Sequence, residues 1–203
     1  EHLCFIISLV FSGSVMKFCS NCGKAVLKEV PPGDNRPRYV CKFCPMIHYQ
    51  NPRIIVGVLP TYDNSILLCE RDIQPRKGFW TLPAGFLENG ESTLDGAIRE
   101  CKEESLATVS DATLYAIYDI PHIEQVYIFY RARMEKPYFS KTTESSDVQL
   151  FTEEDIPWEQ LAFPVVAEML TSFFNDRKCG QYDVKYKQIN KCWKRPKAAH
   201  NHA

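Results

Sequence analysis

The stretch Gly85 to Leu106, G-F-L-E-N-G-E-S-T-L-D-G-A-I-R-E-C-K-E-E-S-L, concentrates residues able to do chemistry. Glu91 is followed by Arg99 and Glu100, and then by the pair Glu103 and Glu104. On a helix, Glu100, Glu103 and Glu104 stand at i, i+3 and i+4 and share one face. Carboxylates at that spacing repel by roughly a few tenths of a kcal/mol per exposed pair, and a cation removes the repulsion. Hard divalent cations such as Mg²⁺ and Mn²⁺ take oxygen ligands and usually bridge to substrate phosphates. Cleaving a phosphoanhydride needs that neutralisation together with a positioned water. Arg99 can pair with Glu91 and hold the preceding loop against the helix. Gly85 is expected to permit a loop conformation in which a backbone carbonyl, that of Ala84, faces the metal. Without its flanks, R-E-C-K-E-E would read as an ordinary solvated helix face.

The cysteines suggest a second metal. Cys19, Cys22, Cys41 and Cys44 form two C-x-x-C pairs, the spacing of a Cys₄ zinc ribbon. Four thiolates close the coordination of Zn²⁺, so the site is expected to be structural. His48 is close in sequence but is not needed as a ligand. A unit this small cannot bury a core, so the metal should supply its folding energy. The other five cysteines are scattered, which suits stray thiols in a reducing compartment better than a disulfide framework. The expected location is cytoplasmic, with an organelle left open.

The remaining elements must position these groups. The chain has 203 residues, 45% of them hydrophobic, with net charge −1. That suits one ordinary domain plus something small, and it lacks the global basic balance of a nucleic-acid-binding domain. Residues 1–15 form an apolar leader too short to span a bilayer, which needs about 20 residues. No membrane association is expected. R-I-I-V-G-V-L-P from Arg53 reads as a buried strand, Tyr62 to Ser65 as a turn, and Ile66 to Cys69 as the return strand. Ser92-Thr93-Leu94-Asp95 is a capping pattern, so a helix should start near Ser92. Its apolar face runs through Leu94, Ala97, Ile98 and Cys101. Strands are expected over 113–119, 124–134 and 147–151, and a helix from Pro164 to Phe174. The expected layout is a leader (1–15), a zinc ribbon (16–50), a main domain (51–176) and a basic polar tail (177–203).

The acidic stretch resembles the Nudix box, Gly-x5-Glu-x7-Arg-Glu-U-x-Glu-Glu-x-Gly-U with U aliphatic. Every acidic and basic position matches. Cys101 fills an aliphatic slot, and Ser105 replaces a glycine that ends the helix. The resemblance implies an α+β fold, an α/β/α sandwich with a mixed sheet between helices, preceded here by the small ribbon. It implies hydrolysis of a nucleoside diphosphate linked to another group, with Mg²⁺ or Mn²⁺. Glu100 and Glu104 would be principal metal ligands, Glu103 an additional one, and Glu91 and Arg99 the supporting pair. A further carboxylate from a later loop often helps. Asp147, ahead of V-Q-L-F, is preferred over Glu144.

A zinc ribbon before this box is also the arrangement of NADH pyrophosphatases, but their Ser-Gln-Pro-Trp-Pro-Phe-Pro array is absent. The segments P-R-K-G-F-W-T-L-P-A-G-F-L-E-N-G-E, I-P-H-I-E-Q-V-Y and E-E-D-I-P-W-E-Q-L-A-F-P resemble plant FAD and ADP-ribose pyrophosphatases and similar bacterial proteins. That resemblance implies cleavage of FAD to FMN and AMP, or of ADP-ribose to AMP and ribose 5-phosphate. Arg71 and Arg76 could pair with phosphates. Phe79 and Phe86 could offer stacking surface, whereas Trp80 suits the core and His122 suits a structural strand corner. NADH cleavage and removal of an NAD cap from RNA are the alternatives within the same chemistry. A ribbon protein with an inactive domain is the alternative from another class. Nucleic acid is not expected as a partner, and a homodimer would follow similar enzymes.

Overall fold

The computed structural model describes residues 15–190. The expected leader (apart from Val15) and the end of the expected tail from residue 191 lie outside them. Contacts divide the chain into two units, with the boundary after Pro52.

The first unit is a three-stranded antiparallel sheet of β1 (Val26–Glu29), β2 (Arg38–Cys41) and β3 (Ile47–His48). Its buried cluster is four side chains, Cys19, Val26, Tyr39 and Cys41, with Met16 and Cys44 against them. So little apolar burial does not hold a fold alone, which places the weight on the cysteines.

The second unit is built on β4 (Arg53–Tyr62), β5 (Ser65–Arg71), β6 (Trp80–Thr81), β7 (Ala84–Phe86), β8 (Val109–Ile120), β9 (Gln125–Met134), β10 (Ser145–Phe151) and β11 (Lys185–Gln188). The sheet order is β10-β5-β4-β9-β8-β11, with β6 on β5 and β7 on β4. β4 runs parallel to β9 and β11 parallel to β8, while the other pairs are antiparallel, so the sheet is mixed.

Helix α1 (Thr93–Ser105) starts where capping chemistry predicts. Ser92 is its N-cap, and the Ser92 hydroxyl accepts the Asp95 amide at 3.1 Å. Ala97 and Cys101 of α1 are fully buried against Val56, Val58, Leu67 and Cys69. These strand residues alternate with Leu59, Ile66 and Leu68, which are also fully buried, so the sheet is covered on both faces. Helix α2 (Pro164–Cys179) supplies the other cover. Its Phe173 meets Tyr115 of β8 edge to face, and Asp176 accepts the Tyr115 hydroxyl at 2.8 Å. The expected α/β/α arrangement is present.

Two expectations change. α2 continues past Phe174 to Cys179, where Gly180 caps it in the left-handed region. The stretch expected to be a basic tail instead adds β11 to the sheet edge. Its lysines are paired: Lys185 with Asp176 at 2.9 Å and Lys187 with Glu168 at 2.6 Å. Among the described residues no helix is long and apolar enough to cross a membrane.

Candidate functional site

α1 lies over β7 and β4, and this packing assembles the acids. The Arg99 guanidinium lies at the centre of the network. Its Nε and Nη2 donate to the two carboxylate oxygens of Glu91 at 3.0 and 2.8 Å. Its Nη1 donates to Glu100 at 2.7 Å and to Glu103 at 2.9 Å, and Nη2 also reaches the Phe86 carbonyl at 3.1 Å. One side chain thus ties the loop after β7 to the helix that bears the acids. Glu91 also accepts the Glu88 amide at 2.8 Å. The Arg99 hydrogen bonds, then that amide, hold the Glu91 carboxyl down at about 2. Its pairing with Glu91 pushes Arg99 further up and keeps it charged.

Glu100 and Glu104 are buried, whereas the Glu103 side chain is 57% exposed. Burial pushes the Glu104 carboxyl up to about 8, against the Ala84 amide that donates to it at 3.1 Å and the Arg71 charge. Burial also raises Glu100, opposed by Arg99. Two carboxyls out of water with too little positive charge around them fit a hard divalent cation. The α1 face thus buries Glu100 and Glu104 and leaves Glu103 at its rim.

Gly85 plays a different part from the one expected. Its φ is not in the left-handed region, and it pairs with Val56 within the sheet. What it needs is space: a Cβ there would lie 2.3–2.4 Å from the Glu100 carboxylate. Ala84 is brought to the cluster, but by its amide on Glu104. Gly96 is likewise a close approach, since a Cβ would meet the Glu91 carboxylate at 2.6 Å.

Asp147 does not join the cluster. It accepts from the Val148 amide at 3.0 Å and Gln149 at 2.6 Å, and pairs with Lys141 at 3.5 Å. Its carboxyl is held below the usual range by Gln149, the Val148 amide and Lys141, against some burial. Glu144 is the later acid that acts on Glu100 and Glu104, raising both. The segment that bears it is tied to the end of α1: the Ser140 amide donates to the Ser105 carbonyl at 2.9 Å and the Thr142 hydroxyl to the Glu104 carbonyl at 3.4 Å.

Ser105 remains helical and fully buried. Its hydroxyl donates to the Cys101 carbonyl at 2.5 Å and accepts the Ala107 amide at 3.3 Å. The left-handed turn falls on Leu106, φ 58, whose amide caps the Lys102 carbonyl. Serine in the glycine slot therefore leaves the acids in place.

Arg71 acts electrostatically on Glu104, and Glu144 and Tyr127 act on it as well. Its Nε donates to the Pro75 carbonyl at 2.9 Å, and its guanidinium lies 5.2 Å over Phe163. Arg76, at φ 67, stacks on Phe79 at 5.0 Å. Phe86 is 49% exposed beneath the Arg53 guanidinium at 5.4 Å. Trp80 is buried edge-on to Phe151, and His122 is exposed on the 3₁₀ turn Pro121–Ile123. Tyr127, Arg53 and Phe163 were missed as site residues. Tyr127 and Phe163 lie within segments quoted for the resemblance, and that was their only signal.

In the first unit the four cysteine sulfurs lie within 4.8 Å of one another. Cys19 and Cys44 are 3.7 Å apart and Cys22 and Cys41 3.5 Å. A tetrahedral Zn²⁺ with Zn–S near 2.3 Å separates its sulfurs by about 3.8 Å, so the cage fits zinc. His48 Nε2 is 3.4 Å from Cys19 Sγ, and the Phe43 amide donates to Cys41 Sγ at 3.4 Å. Both stand outside the ligand set, where such groups orient thiolates.

This mixed sheet, covered by a helix on each face and bearing buried acids on α1 against Gly85, is a Nudix-type fold. Residues 51–173 match the model of the NUDIX domain, and residues 17–50 match that of the Nudix N-terminal zinc ribbon. The chain belongs to the NUDIX domain family. A crystal structure of a NUDIX hydrolase from Nitrosomonas europaea is 47% identical, with a TM-score of 0.83, and the match covers 87% of this chain and 100% of that one. An ADP-ribose pyrophosphatase of Methanocaldococcus jannaschii is 37% identical over 73 residues, 36% of this chain and 43% of its own. An NAD-capped RNA hydrolase of Schizosaccharomyces pombe is 30% identical over 158 residues, 69% of this chain and 41% of its own. The chain thus spans less than half the length of these two curated relatives.

Proposed function

We propose that this protein hydrolyses the pyrophosphate bond of a dinucleotide-type substrate, FAD or ADP-ribose, with Mg²⁺ or Mn²⁺. The observation that supports this most is the burial of Glu100 and Glu104 together, with Glu100 pressed against the bare Cα of Gly85. Such a pair is costly unless a cation completes it. Glu100, Glu104 and Glu103 would hold the metal, with the Ala84 backbone beside them. The cation supplies charge neutralisation at the phosphate oxygens. Glu91 and Arg99 fix the loop and helix so that the carboxylates do not spread. Arg71, with Arg76 further along the same loop, pairs with the phosphates. Water attacks one phosphorus, the bridging P–O bond breaks, and two phosphomonoesters leave. The proton of that water passes to a carboxylate at the open side of the cluster, where Glu144 and Glu103 stand.

The printed activity of the Methanocaldococcus relative supports ADP-ribose, and the resemblance to plant pyrophosphatases supports FAD. Cleavage of an NAD cap is the second reading, favoured by the Schizosaccharomyces relative, an NAD-capped RNA hydrolase matched over 69% of this chain. An inactive domain is disfavoured because all four glutamates are present and one arginine ties three of them, Glu91, Glu100 and Glu103, together. The test is product analysis with purified protein and Mg²⁺ or Mn²⁺ on FAD, ADP-ribose, NADH and NAD-capped RNA. Release of AMP from FAD or ADP-ribose supports the reading. No cleavage of any of the four by folded, metal-supplied protein would end it.

A further inference from the structure

The sheet face opposite α1 carries a second set of groups that the acids do not use. Parallel pairing of β4 with β9 sets Arg53 beside Gln125 and Ile55 beside Tyr127, and β7 sets Phe86 beside Ile55. Register partners project to the same side of a sheet. Arg53, Ile55, Phe86, Gln125 and Tyr127 therefore share one face, while Val56 and Val58 face α1. Gln125 is 3% exposed, and its Oε1 has no hydrogen-bond partner among the described residues. Buried acceptors are nearly always satisfied, so this one calls for a donor from elsewhere. Around it stand a half-exposed ring, Phe86, with Arg53 over it, and a partly buried ring, Tyr127. Burial raises the Tyr127 phenol to about 12 against the pull of Arg71 and Arg53, so it is neutral and both guanidinia are near. Arg71 is coupled in turn to Glu104.

We propose that this face is the ring subsite of the substrate: Phe86 and Tyr127 pack a flat nitrogen heteroaromatic, and the Gln125 carbonyl accepts an N–H from it. Arg53 is a positioning residue that holds Phe86. The assignment rests on reading the acids as a pyrophosphate hydrolase. Two rings carry the required donor, adenine through its exocyclic amine and flavin through its imide. A pocket that pairs with a substrate N–H rejects the analogue that lacks it.

The experiment compares kcat/KM for ADP-ribose with its 1,N6-etheno analogue, and for FAD with N3-methyl-FAD. The wild type should lose about tenfold on the blocked member of one pair, the pair whose ring occupies the face. Gln125→Met should bring that pair level by weakening the natural substrate, through KM rather than kcat. Equal treatment of both pairs by the wild type, as a water on Gln125 would produce, overturns the proposal. A second measurement does not need turnover: calorimetric binding of AMP and of FMN to wild type and Phe86→Ala. One of the two should weaken about tenfold or more, since stacking contributes that much per ring. Unchanged binding of both overturns the subsite. Binding that depends on Phe86, without cleavage of either dinucleotide, would refute the hydrolase reading and leave the subsite standing.

Discussion

A single methyl group at residue 85 should separate stability from catalysis. In Gly85→Ala the new Cβ would stand 2.3–2.4 Å from the carboxylate atoms of Glu100, where ordinary contact begins at 3.4 Å. The carboxylate must therefore retreat by about 1 Å. Because it is the far end of a flexible side chain, the backbone need not move, and Gly85 has no left-handed φ to preserve. Replacing glycine by alanine at a compatible position favours folding by about 0.4–1 kcal/mol through the unfolded chain. That gain offsets the cost of moving Glu100, so Tm should stay within about 3 °C of wild type. The chemistry has no such latitude. Misplacing a reacting group by about 1 Å costs on the order of a hundredfold, or about 2.7 kcal/mol of barrier. We expect kcat on ADP-ribose or FAD to fall about that far, and the Mg²⁺ concentration for half-maximal rate to rise. Shortening the acid in the double variant Gly85→Ala/Glu100→Asp should recover part of the loss relative to the sum of the single effects, a coupling that only contacting residues show. A Gly85→Ala enzyme with wild-type kcat and wild-type metal dependence would refute the reasoning.

Glu104→Gln should lower turnover by orders of magnitude while leaving the melt intact, and full activity in that variant would remove Glu104 from the metal site. The pH dependence of stability follows from the same residue. Its folded pKa near 8 lies above the unfolded value, so stability is fully present below about pH 4.5 and is lost as pH rises through 8. Metal-free protein should therefore weaken from pH 5 to 8 and regain more stability from Mg²⁺ at pH 8 than at pH 6. Calorimetric melts of wild type and Glu104→Gln check this, and the variant should show a flatter profile. Glu144→Gln should cut kcat about tenfold or more, in the range of a lost proton acceptor, whereas Asp147→Asn should stay within about twofold; steady-state assays showing the reverse order would restore Asp147. Cys22→Ser should lower bound zinc, measured by elemental analysis, and destabilise the first unit, while zinc near one per chain would rule out the four-cysteine cage.

What could be read from residues alone was whatever depends on near neighbours. The N-cap at Ser92, the face shared by Glu100, Glu103 and Glu104 and the two cysteine knuckles each lie within about one helical turn or one short loop, and the Arg99–Glu91 pair spans only eight residues. The misreadings turn on where a strand or helix ends and on what packs beside it. Alternation along the chain places Asp147 plausibly, but the β10–β5 register shifts between Ser145 and Asp147, and Asp147 is taken up by Gln149 and Lys141. K-Y-K-Q at Lys185–Gln188 has no apolar run to mark a strand. It becomes one because β8 offers an open edge and Asp119, Asp176 and Glu168 pair with Tyr186, Lys185 and Lys187.

Gly85 and Gln125 show the same limit from the side of function. Gly85 was legible as important, but its reason lay across space in the Glu100 carboxylate rather than in its own φ. Gln125 sat inside I-P-H-I-E-Q-V-Y with nothing to distinguish it from an exposed polar residue. Only the parallel register with β4, formed by residues over 70 positions earlier, buries its amide beside Arg53 and on the face of Phe86. Near-neighbour chemistry thus identifies the reaction centre. Substrate choice depends on the sheet register, because the register decides which side chains face the ring and which face the helix.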